Sequence, residues 1–262
     1  MAAATRIGIP YYPRHSELEV MKEEEVDMII EEVKDQLAEL MTNQSRSYTI
    51  QRLFESCNQT QMSKILSFIA TRQKLLDICF EEHGSRAVQK MIKHLEEPEQ
   101  KRLLVSVLKP ITLQLSKENG GHAYHVILQC MEQFLPEETE CMPYTTLQIR
   151  ERIVAVIMAN ALPLSDHPFG NYVVQYVVKM RIPYANANII AKLRGHFVSL
   201  CMNKYASNVV EKCIDPNDVG DENSRRVMTE IFETSDFIRV LQDPYGNYVM
   251  QAALNVCKAF EE

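Results

Sequence analysis

Six short segments of the chain carry polar or aromatic residues at one fixed spacing. In each segment two such residues stand side by side, and a third member follows three positions after the second. The triplets of the first three copies are Ser47, Tyr48 and Gln51; Ser85, Arg86 and Gln89; and Tyr124, His125 and Leu128. Those of the last three copies are Asn171, Tyr172 and Gln175; Ser207, Asn208 and Glu211; and Asn247, Tyr248 and Gln251. On an α-helix the first and third members are four residues apart, so their side chains point the same way.

Apolar pairs accompany the triplets and indicate the helix face that turns to a core. In the fourth copy, for example, Val173 and Val174 are followed by Val177 and Val178. The third members of successive triplets lie 36 to 47 residues apart, which is the period range of helical solenoids. The chain is therefore predicted to be a repeat protein that displays one triplet per repeat, in line along one face.

Composition favours an all-α fold in one elongated domain. Of the 262 residues, 46% are hydrophobic and 24% charged, glycine is scarce, and strand-like alternation is hard to find. Residues 1–16 contain Pro10 and Pro13 without periodicity and are expected to be mobile. Residues 17–262 are expected to form a single repeat domain.

Each unit reads as an apolar helix, a turn and then the helix that carries the triplet. The apolar lead-in helices are expected at residues 75–80, 111–115, 153–164, 197–202 and 237–241. Residues 17–41 are rich in acids around an apolar stripe, which predicts one amphipathic helix that caps the array. Residues 136–146 read as an acidic insertion, and residues 215–223 as a second loop.

The formal net charge of −7 is unevenly distributed and restricts the kind of polyanion binding that is expected. Ten acids and four bases lie in residues 1–45, so the rest of the chain is nearly neutral. Lys90, Lys179 and Lys212 follow third members closely and are expected to make the display face locally basic. Broad, charge-driven binding to any polyanion is excluded.

The cysteines and the hydropathy pattern point to a reduced, soluble, intracellular protein. The chain has seven cysteines, no CxxC pair, and no apolar leader or membrane-spanning run. Cys130 and Cys213 lie on the apolar stripe and are expected to be small buried hydrophobes.

Patterns typical of enzymes or metal sites are weak in this sequence. Ser165, Asp166 and His167 are neighbours in sequence, whereas a catalytic triad is a spatial arrangement. His122 and His125 have ligand-like spacing, but no cysteine pair or third histidine nearby completes a zinc site. We expect no catalysis, no cofactor and no metal.

The segments around residues 83–90, 166–175, 207–213 and 243–251 resemble the Pumilio (PUF) family of RNA-binding repeats. The resemblance covers residues 42–262 and implies a curved, right-handed α-solenoid of three-helix repeats, with the acidic helix as its N-terminal cap. It also implies that the first and third members of a triplet grip the Watson–Crick edge of one unstacked base, while the second stacks between bases.

The chemistry of the side chains agrees with base-edge contacts by the first and third members and stacking by the second. The amides of Asn171 with Gln175, and of Asn247 with Gln251, offer donors and acceptors that match the mixed edge of uracil. Glu211 only accepts hydrogen bonds, and guanine alone presents two adjacent donors, so Glu211 with Ser207 resembles the family's guanine reader. Ser85, Arg86 and Gln89 resemble the adenine reader, with Arg86 stacking on bases.

Two of the six copies depart from the family pattern. Leu128 supplies no amide, so the third copy is expected to stack and space the RNA without strict reading. The first copy has Arg46 where other copies have a glycine, and its base preference stays open. Family members usually have eight repeats, and the missing two would lie after the first copy and in the long interval before the fourth.

The sequence predicts a cytoplasmic protein that binds single-stranded RNA in mRNA 3′ untranslated regions and regulates translation or decay. Recruited translational-repression or deadenylation factors are the expected protein partners. Two alternatives stay open, a protein-binding α-solenoid scaffold and a nuclear or nucleolar ribosomal-RNA processing factor with weak sequence preference. Family members bind RNA antiparallel to the protein, so the triplets predict 5′-UGU, then a loosely read or skipped position, then A.

Overall fold

The computed structural model of the chain describes residues 22–134 and 145–261, and helices make up its regular secondary structure throughout those two ranges. The predicted all-α fold is confirmed. The segment expected to be mobile, residues 1–16, lies outside the described residues, as do most of the acidic insertion and the start of the expected capping helix.

Each of the six copies is a unit of three helices in which a long first helix and a short second helix precede the display helix. Repeat 1 consists of Glu23–Val33, Leu37–Thr42 and Ser47–Ser56, and repeat 2 of Gln59–Ile69, Arg72–Phe80 and Glu82–Lys93. Repeat 3 consists of Pro98–Leu108, a 3₁₀ turn Lys109–Ile111 that runs into Thr112–Ser116, and Tyr124–Gln133.

The same order continues in the second half of the chain. Repeat 4 consists of Thr145–Ala159, Ala161–Ser165 and Gly170–Lys179, and repeat 5 of Pro183–Leu193, Phe197–Cys201 and Ala206–Ile214. Repeat 6 begins after a short helix, Pro216–Val219, and consists of Asp221–Phe232, Phe237–Gln242 and Gly246–Glu261.

The structure corrects the helix boundaries that the residue pattern predicted. The acidic stretch forms the first two helices of repeat 1, because the chain turns at residues 34–36 and Gln36 leaves helical geometry (φ −104°, ψ 2°). The lead-in helix expected at 153–164 is likewise two helices that meet at Asn160. The loop expected at 215–223 is mostly helical, because the Asp215 side chain accepts a hydrogen bond from the backbone N–H of Asn217 and so caps a helix at Pro216.

The two repeats by which the sequence falls short of the family's usual eight are also absent from the described residues. After the first triplet, the chain enters the first and second helices of repeat 2 directly. In the long interval before the fourth triplet, residues 145–165 form the first and second helices of repeat 4. The ten residues between the two described ranges are too few for another three-helix unit.

The apolar pairs of the display helices form the core, as predicted. The four valines of repeat 4 are fully buried, and so are Cys130 and Cys213. Burial in apolar surroundings raises the pKa of the Cys213 thiol to about 12 and also raises that of Cys130. Both thiols therefore behave as small hydrophobic side chains.

The described chain divides into two compact units, each with its own helix packing. One comprises residues 22–111, 129–134 and 145–150, and the other residues 112–128 and 151–261. In the first unit, the display helix of repeat 1 packs on that of repeat 2; in the second, the display helix of repeat 5 packs on those of repeats 4 and 6. Display helices within a unit are therefore direct neighbours, as a solenoid requires.

Buried polar side chains near the start of the first helices join consecutive repeats. The Gln61 side chain donates to the backbone oxygen of Glu23 (3.1 Å), and Ser224 Oγ donates to that of Ile214 (2.6 Å). Gln100 Nε2 donates to the Gln59 backbone oxygen (2.8 Å) and to Ser63 Oγ (2.9 Å). Each of these bonds satisfies a backbone or hydroxyl group of the preceding repeat. The bonds of Gln61 and Gln100 join neighbouring first helices, whereas that of Ser224 joins the first helix of repeat 6 to the display helix of repeat 5.

Replacing Gln100 by methionine is expected to destabilise the first unit by about 1–2 kcal/mol. Methionine fills a similar volume, but it removes the donor that Gln100 supplies to the Gln59 carbonyl and to Ser63 Oγ, and the acceptor that it offers to the backbone N–H of Glu97. Urea denaturation followed by circular dichroism measures the loss. Gln114→Met is the control, because Gln114 is exposed and should tolerate the change. Equal stability of the two variants would show that the Gln100 bond adds nothing.

Candidate nucleic-acid interface

All six predicted triplets lie in a display helix, and their second members share one property. Every second member is exposed to solvent. These residues are Tyr48, Arg86, His125, Tyr172, Asn208 and Tyr248. Three aromatic phenols, an imidazole and a guanidinium are thus held with their planar groups accessible, which suits stacking on a planar ligand.

The first and third members are less exposed than the second, and they follow a common pattern. Four of the first members, Ser47, Ser85, Asn171 and Ser207, are buried. The third members of repeats 1 to 5 are half-buried, and these are Gln51, Gln89, Leu128, Gln175 and Glu211. In repeat 6, Asn247 and Gln251 are both exposed. In repeats 1, 2, 4 and 5 a buried serine or asparagine thus stands one helical turn before a half-buried third member with a polar end.

Hydrogen bonds hold the triplet of repeat 4 in one orientation. Asn171 Nδ2 donates to the backbone oxygens of His167 and Pro168, both at 2.8 Å. Its side-chain oxygen then accepts from Gln175 Nε2, also at 2.8 Å. The direction of the Asn171 amide is therefore set by the backbone, and Gln175 is oriented by Asn171 while keeping a carbonyl and a second N–H for a ligand.

A similar bond orders the triplet of repeat 2. Gln89 Nε2 donates to Ser85 Oγ at 3.1 Å and to the Ser85 backbone oxygen at 3.3 Å. Arg86 forms an ion pair with Glu82 one turn earlier (2.6 Å), and both side chains are exposed. An exposed pair of this kind is worth less than about 1 kcal/mol, so Arg86 can exchange it for a stacked base at little cost.

Repeat 5 differs from repeats 2 and 4 because its third member is a carboxylate. Ser207 is buried and Glu211 is half-buried on the same side of the helix, one turn apart. The second member, Asn208, donates from Nδ2 to the backbone oxygen of Tyr205 (3.2 Å). The triplet of repeat 5 therefore presents an acceptor-only group, as the sequence indicates.

Repeats 3 and 4 share an aromatic cluster that the sequence did not predict. The ring of Tyr124 stacks on His125, with centroids 4.1 Å apart and planes 30° apart, and on Tyr172, at 5.3 Å and 15°. Phe169 lies against the same ring at 6.0 Å and 18°. Burial is the main cause of a lowered pKa of the His125 imidazole, and the charge of His122 lowers it further. Tyr124, the first member of a triplet, is thus engaged with aromatic rings of the protein.

One class of positioning residue was missed by sequence reasoning, although it has a fixed spacing. Four residues before the first member, a polar side chain accepts hydrogen bonds from the backbone N–H groups that open the display helix. In repeats 1, 4, 5 and 6 these residues are Asn43, His167, Asn203 and Asp243. Such bonds satisfy N–H groups that a helix start leaves unpaired, so they fix where each triplet begins.

The lysines expected to make the display face basic differ in their surroundings. Lys90 of repeat 2 pairs with Glu55 of repeat 1 at 2.6 Å, and this cation is the main cause of the lowered pKa of Glu55. Lys90 is therefore neutralised by the protein, contrary to the expectation. Lys179 is exposed and Lys212 half-buried, and neither has its charge paired in the bonds described here.

The described residues also bear on metal binding and on membrane insertion. Among residues 22–134 and 145–261, no three histidine, cysteine or acidic side chains converge as metal ligands would. The helices in those ranges include none with the length and hydropathy needed to span a bilayer.

Comparison with protein families gives matches over most of the chain. A profile described as "NOP9-like PUF repeat domain" matches residues 9–247, and one described as "Pumilio-family RNA binding repeat" matches residues 237–261. Pumilio homolog 12 of Arabidopsis thaliana is 34% identical over 89% of this chain and 43% of its own length. A Pumilio domain-containing protein of Schizosaccharomyces pombe is 30% identical over 91% of this chain and 38% of its own length. The chain spans less than half the length of these relatives.

Solved structures with the same architecture include RNA complexes. The Puf4 RNA-binding domain, bound to the recognition sequence of the HO endonuclease RNA 3′ UTR, is 27% identical, with 95% of this chain and 84% of that chain covered and a TM-score of 0.56. PUF-8 in complex with PBE-RNA is 20% identical over 92% of this chain and 67% of that chain, and its TM-score of 0.74 shows a common fold. With its six three-helix repeats, the triplets on their display helices and a family match over residues 9–247, the chain belongs to the Pumilio (PUF) family of RNA-binding repeat proteins.

Proposed function

We propose that this chain binds single-stranded RNA with a preference for 5′-UGU, in mRNA 3′ untranslated regions, and thereby regulates translation or mRNA stability in the cytoplasm. The observation that carries the proposal is the order of three triplets in the second compact unit. Repeats 4, 5 and 6 present Asn-Tyr-Gln, Ser-Asn-Glu and Asn-Tyr-Gln on consecutive, directly packed display helices.

The hydrogen-bonding groups of these triplets support the assignment of bases. An oriented glutamine beside an asparagine supplies both donors and acceptors, which suits the mixed edge of uracil. The carboxylate of Glu211 accepts two hydrogen bonds, which suits N1–H and N2–H₂ of guanine and no other base edge. If the RNA runs antiparallel to the protein, as in the family, repeats 6, 5 and 4 read U, G and U from the 5′ end.

Exposed aromatic rings account for the other part of the binding free energy. Tyr172 and Tyr248 each follow a first member directly and are exposed, although one face of the Tyr172 ring lies against Tyr124. Stacking of a base on such a ring contributes about 1–3 kcal/mol and is independent of base identity. Affinity would therefore come largely from the second members, and specificity from the first and third.

Similarity to a solved RNA complex supports the 3′ untranslated region of mRNA as the target. The solved structure of the Puf4 RNA-binding domain, which is 27% identical, is bound to a 3′ UTR recognition sequence. Recruitment of translational-repression or deadenylation factors is the proposed route to regulation.

One observation favours a second candidate function. The profile that matches the longest part of the chain is described as NOP9-like, which suits a ribosomal-RNA processing factor with weak sequence preference. The two candidate functions differ in how strongly the protein would discriminate between RNA sequences. A processing factor of this kind would bind RNAs with and without UGU at similar affinity.

Fluorescence anisotropy with labelled RNA tests the proposal directly. A single-stranded 12-mer with one central UGU, a scrambled 12-mer of equal composition and a pre-ribosomal RNA fragment are titrated at one fixed salt concentration. The proposal expects at least tenfold tighter binding of the UGU RNA than of the scrambled RNA. Equal binding of all three would favour the ribosomal-RNA candidate, and binding of none would indicate a protein-binding scaffold.

Tyr248→Ala is expected to weaken binding of the UGU RNA about tenfold. The ring is 64% exposed, so its removal should cost little stability while it takes away one stacking surface. Tyr184→Ala is the matched control, since Tyr184 is 49% exposed but lies on a first helix without a triplet. The prediction is wrong if both variants bind RNA as the unmodified protein does.

A further inference from the structure

We infer that the ring of Tyr124 takes the stacking surface that His125 and Tyr172 would otherwise offer to a base, so that bound RNA leaves one nucleotide unstacked and unread at repeat 3. This inference rests on the proposed function, because it concerns RNA that follows the triplets in order. It assigns to Tyr124 a role in specificity: the protein side chain stands in place of a base.

The ring geometry carries the inference. His125 and Tyr172 are the second members of successive triplets, and both are exposed. Each has its ring stacked on Tyr124, with centroid separations of 4.1 Å and 5.3 Å. Stacked aromatic groups lie about 4.5–7 Å apart between centroids, so these separations leave no room for a base between Tyr124 and either ring.

A close packing contact on one side of Tyr124 supports the aromatic cluster. Phe169 lies 6.0 Å from the Tyr124 ring and packs on Gly121, which has a positive φ of 73°. A Cβ atom at residue 121 would lie 2.5 Å from Phe169 Cε1, so only glycine permits this contact. Tyr124 is therefore supported by the fold and is half-buried.

The third member of the triplet agrees with this role. Leu128 is half-buried and carries no hydrogen-bonding group, so it cannot pair with a base edge. The first members of four other repeats are buried serine or asparagine side chains that take little space. Repeat 3 alone among the six has an aromatic residue in the first place and an aliphatic one in the third.

The test uses RNAs in which the nucleotide after UGU is varied. The position carries each of the four bases, 2-aminopurine, or an abasic ribose, and binding is measured by anisotropy next to the scrambled RNA. For the unmodified protein the abasic RNA should bind within twofold of the others. Bound 2-aminopurine at this position should remain bright, because its fluorescence is quenched only when it stacks.

Two variants separate the stacking role from general loss of structure. Tyr124→Ser places at repeat 3 the first member found in repeats 1, 2 and 5, and it uncovers the two rings. In that variant the abasic RNA should bind at least fivefold more weakly than the adenine RNA, and 2-aminopurine should be quenched. Tyr124→Phe keeps the ring and should behave as the unmodified protein does.

The results that would disprove this inference differ from those that would disprove the proposed function. If UGU is preferred but the unmodified protein loses fivefold or more with the abasic RNA, a base stacks at repeat 3 and the inference is wrong. If Tyr124→Ser folds and shows no new dependence on a base, it is also wrong. If that variant does not fold, the abasic and 2-aminopurine results for the unmodified protein and Tyr124→Phe decide. If UGU is not preferred over scrambled RNA, the proposed function fails and the inference fails with it.

Discussion

The double variant Ser207→Asn, Glu211→Gln is expected to bind a UUU-containing RNA about tenfold to a hundredfold better, relative to UGU, than the unmodified protein does. Removing the carboxylate takes away the acceptor-only group that suits the two donors of guanine. The asparagine and glutamine that replace the pair recreate the triplet of repeats 4 and 6. One well-made base contact is worth about 1–3 kcal/mol of discrimination, which gives the expected range.

The structure indicates that repeat 5 can accommodate the new asparagine. In repeat 4 the side chain of Asn171 is buried and donates to the backbone oxygens of residues four and three positions earlier. The corresponding carbonyls in repeat 5 belong to Asn203 and Lys204, one turn before Ser207. An asparagine at position 207 can therefore be anchored in the same way and orient a glutamine at position 211.

The reverse exchange at repeat 4 is the matched control for this prediction. Asn171→Ser with Gln175→Glu copies the first and third members of repeat 5 and should move the preference from UGU to UGG. Anisotropy with the three RNAs, at one salt concentration, measures all the ratios. A double variant of repeat 5 that still prefers UGU would show that Ser207 and Glu211 do not read a base, and the proposed register would have to be abandoned.

The display helices were predictable from sequence because their apolar pairs repeat at one period. The first helices of repeats 2, 3, 5 and 6 were not recognised, although some carry local signals. Asn58 accepts from the N–H of Gln61, and the Gln61 side chain accepts from the N–H of Asn58, which is a capping box that marks the start of repeat 2. The break at residues 34–36 has no such signal, since no glycine or proline stands there. Burial of Val33 before the break and Leu37 after it depends on tertiary packing.

The placement of the triplets on helices was predictable from sequence, but their contacts were not. The spacing of the triplets placed every member on a display helix, and the exposure of all second members agrees with a stacking role. Stacking of Tyr124 on Tyr172 joins residues far apart in sequence, so no local pattern contains it. The burial of Ser85 and Ser207 likewise depends on how closely the display helix approaches its neighbours.

Gly84→Ala is expected to destabilise the protein by about 3 kcal/mol, although alanine is the better helix former. Gly84 lies in the display helix of repeat 2, where a Cβ atom would be 2.0 Å from the backbone oxygen of Ile78. Gly246 makes the same close approach to Val240, at 2.4 Å. The second helix thus passes so near the display helix that its carbonyl occupies the space of a side chain. That carbonyl belongs to the backbone and cannot rotate away as a side chain would.

In Gly84→Ala, the higher helix propensity of alanine stabilises the protein, whereas overpacking against the second helix destabilises it. The larger of the two effects decides the change in stability. Alanine in a helix interior is favoured over glycine by about 1 kcal/mol. Overpacking a buried contact costs about 1–3 kcal/mol and more where the neighbour is backbone, as it is here. Ala206→Gly is the control, because repeat 5 has alanine at the corresponding place; Ala206 is fully buried, so this variant should lose the propensity term and the burial of one methyl group, together about 1–2 kcal/mol. Urea denaturation of both variants measures the loss in each, and a Gly84→Ala protein about 1 kcal/mol more stable than the unmodified protein would mean that the two helices of repeat 2 separate without cost.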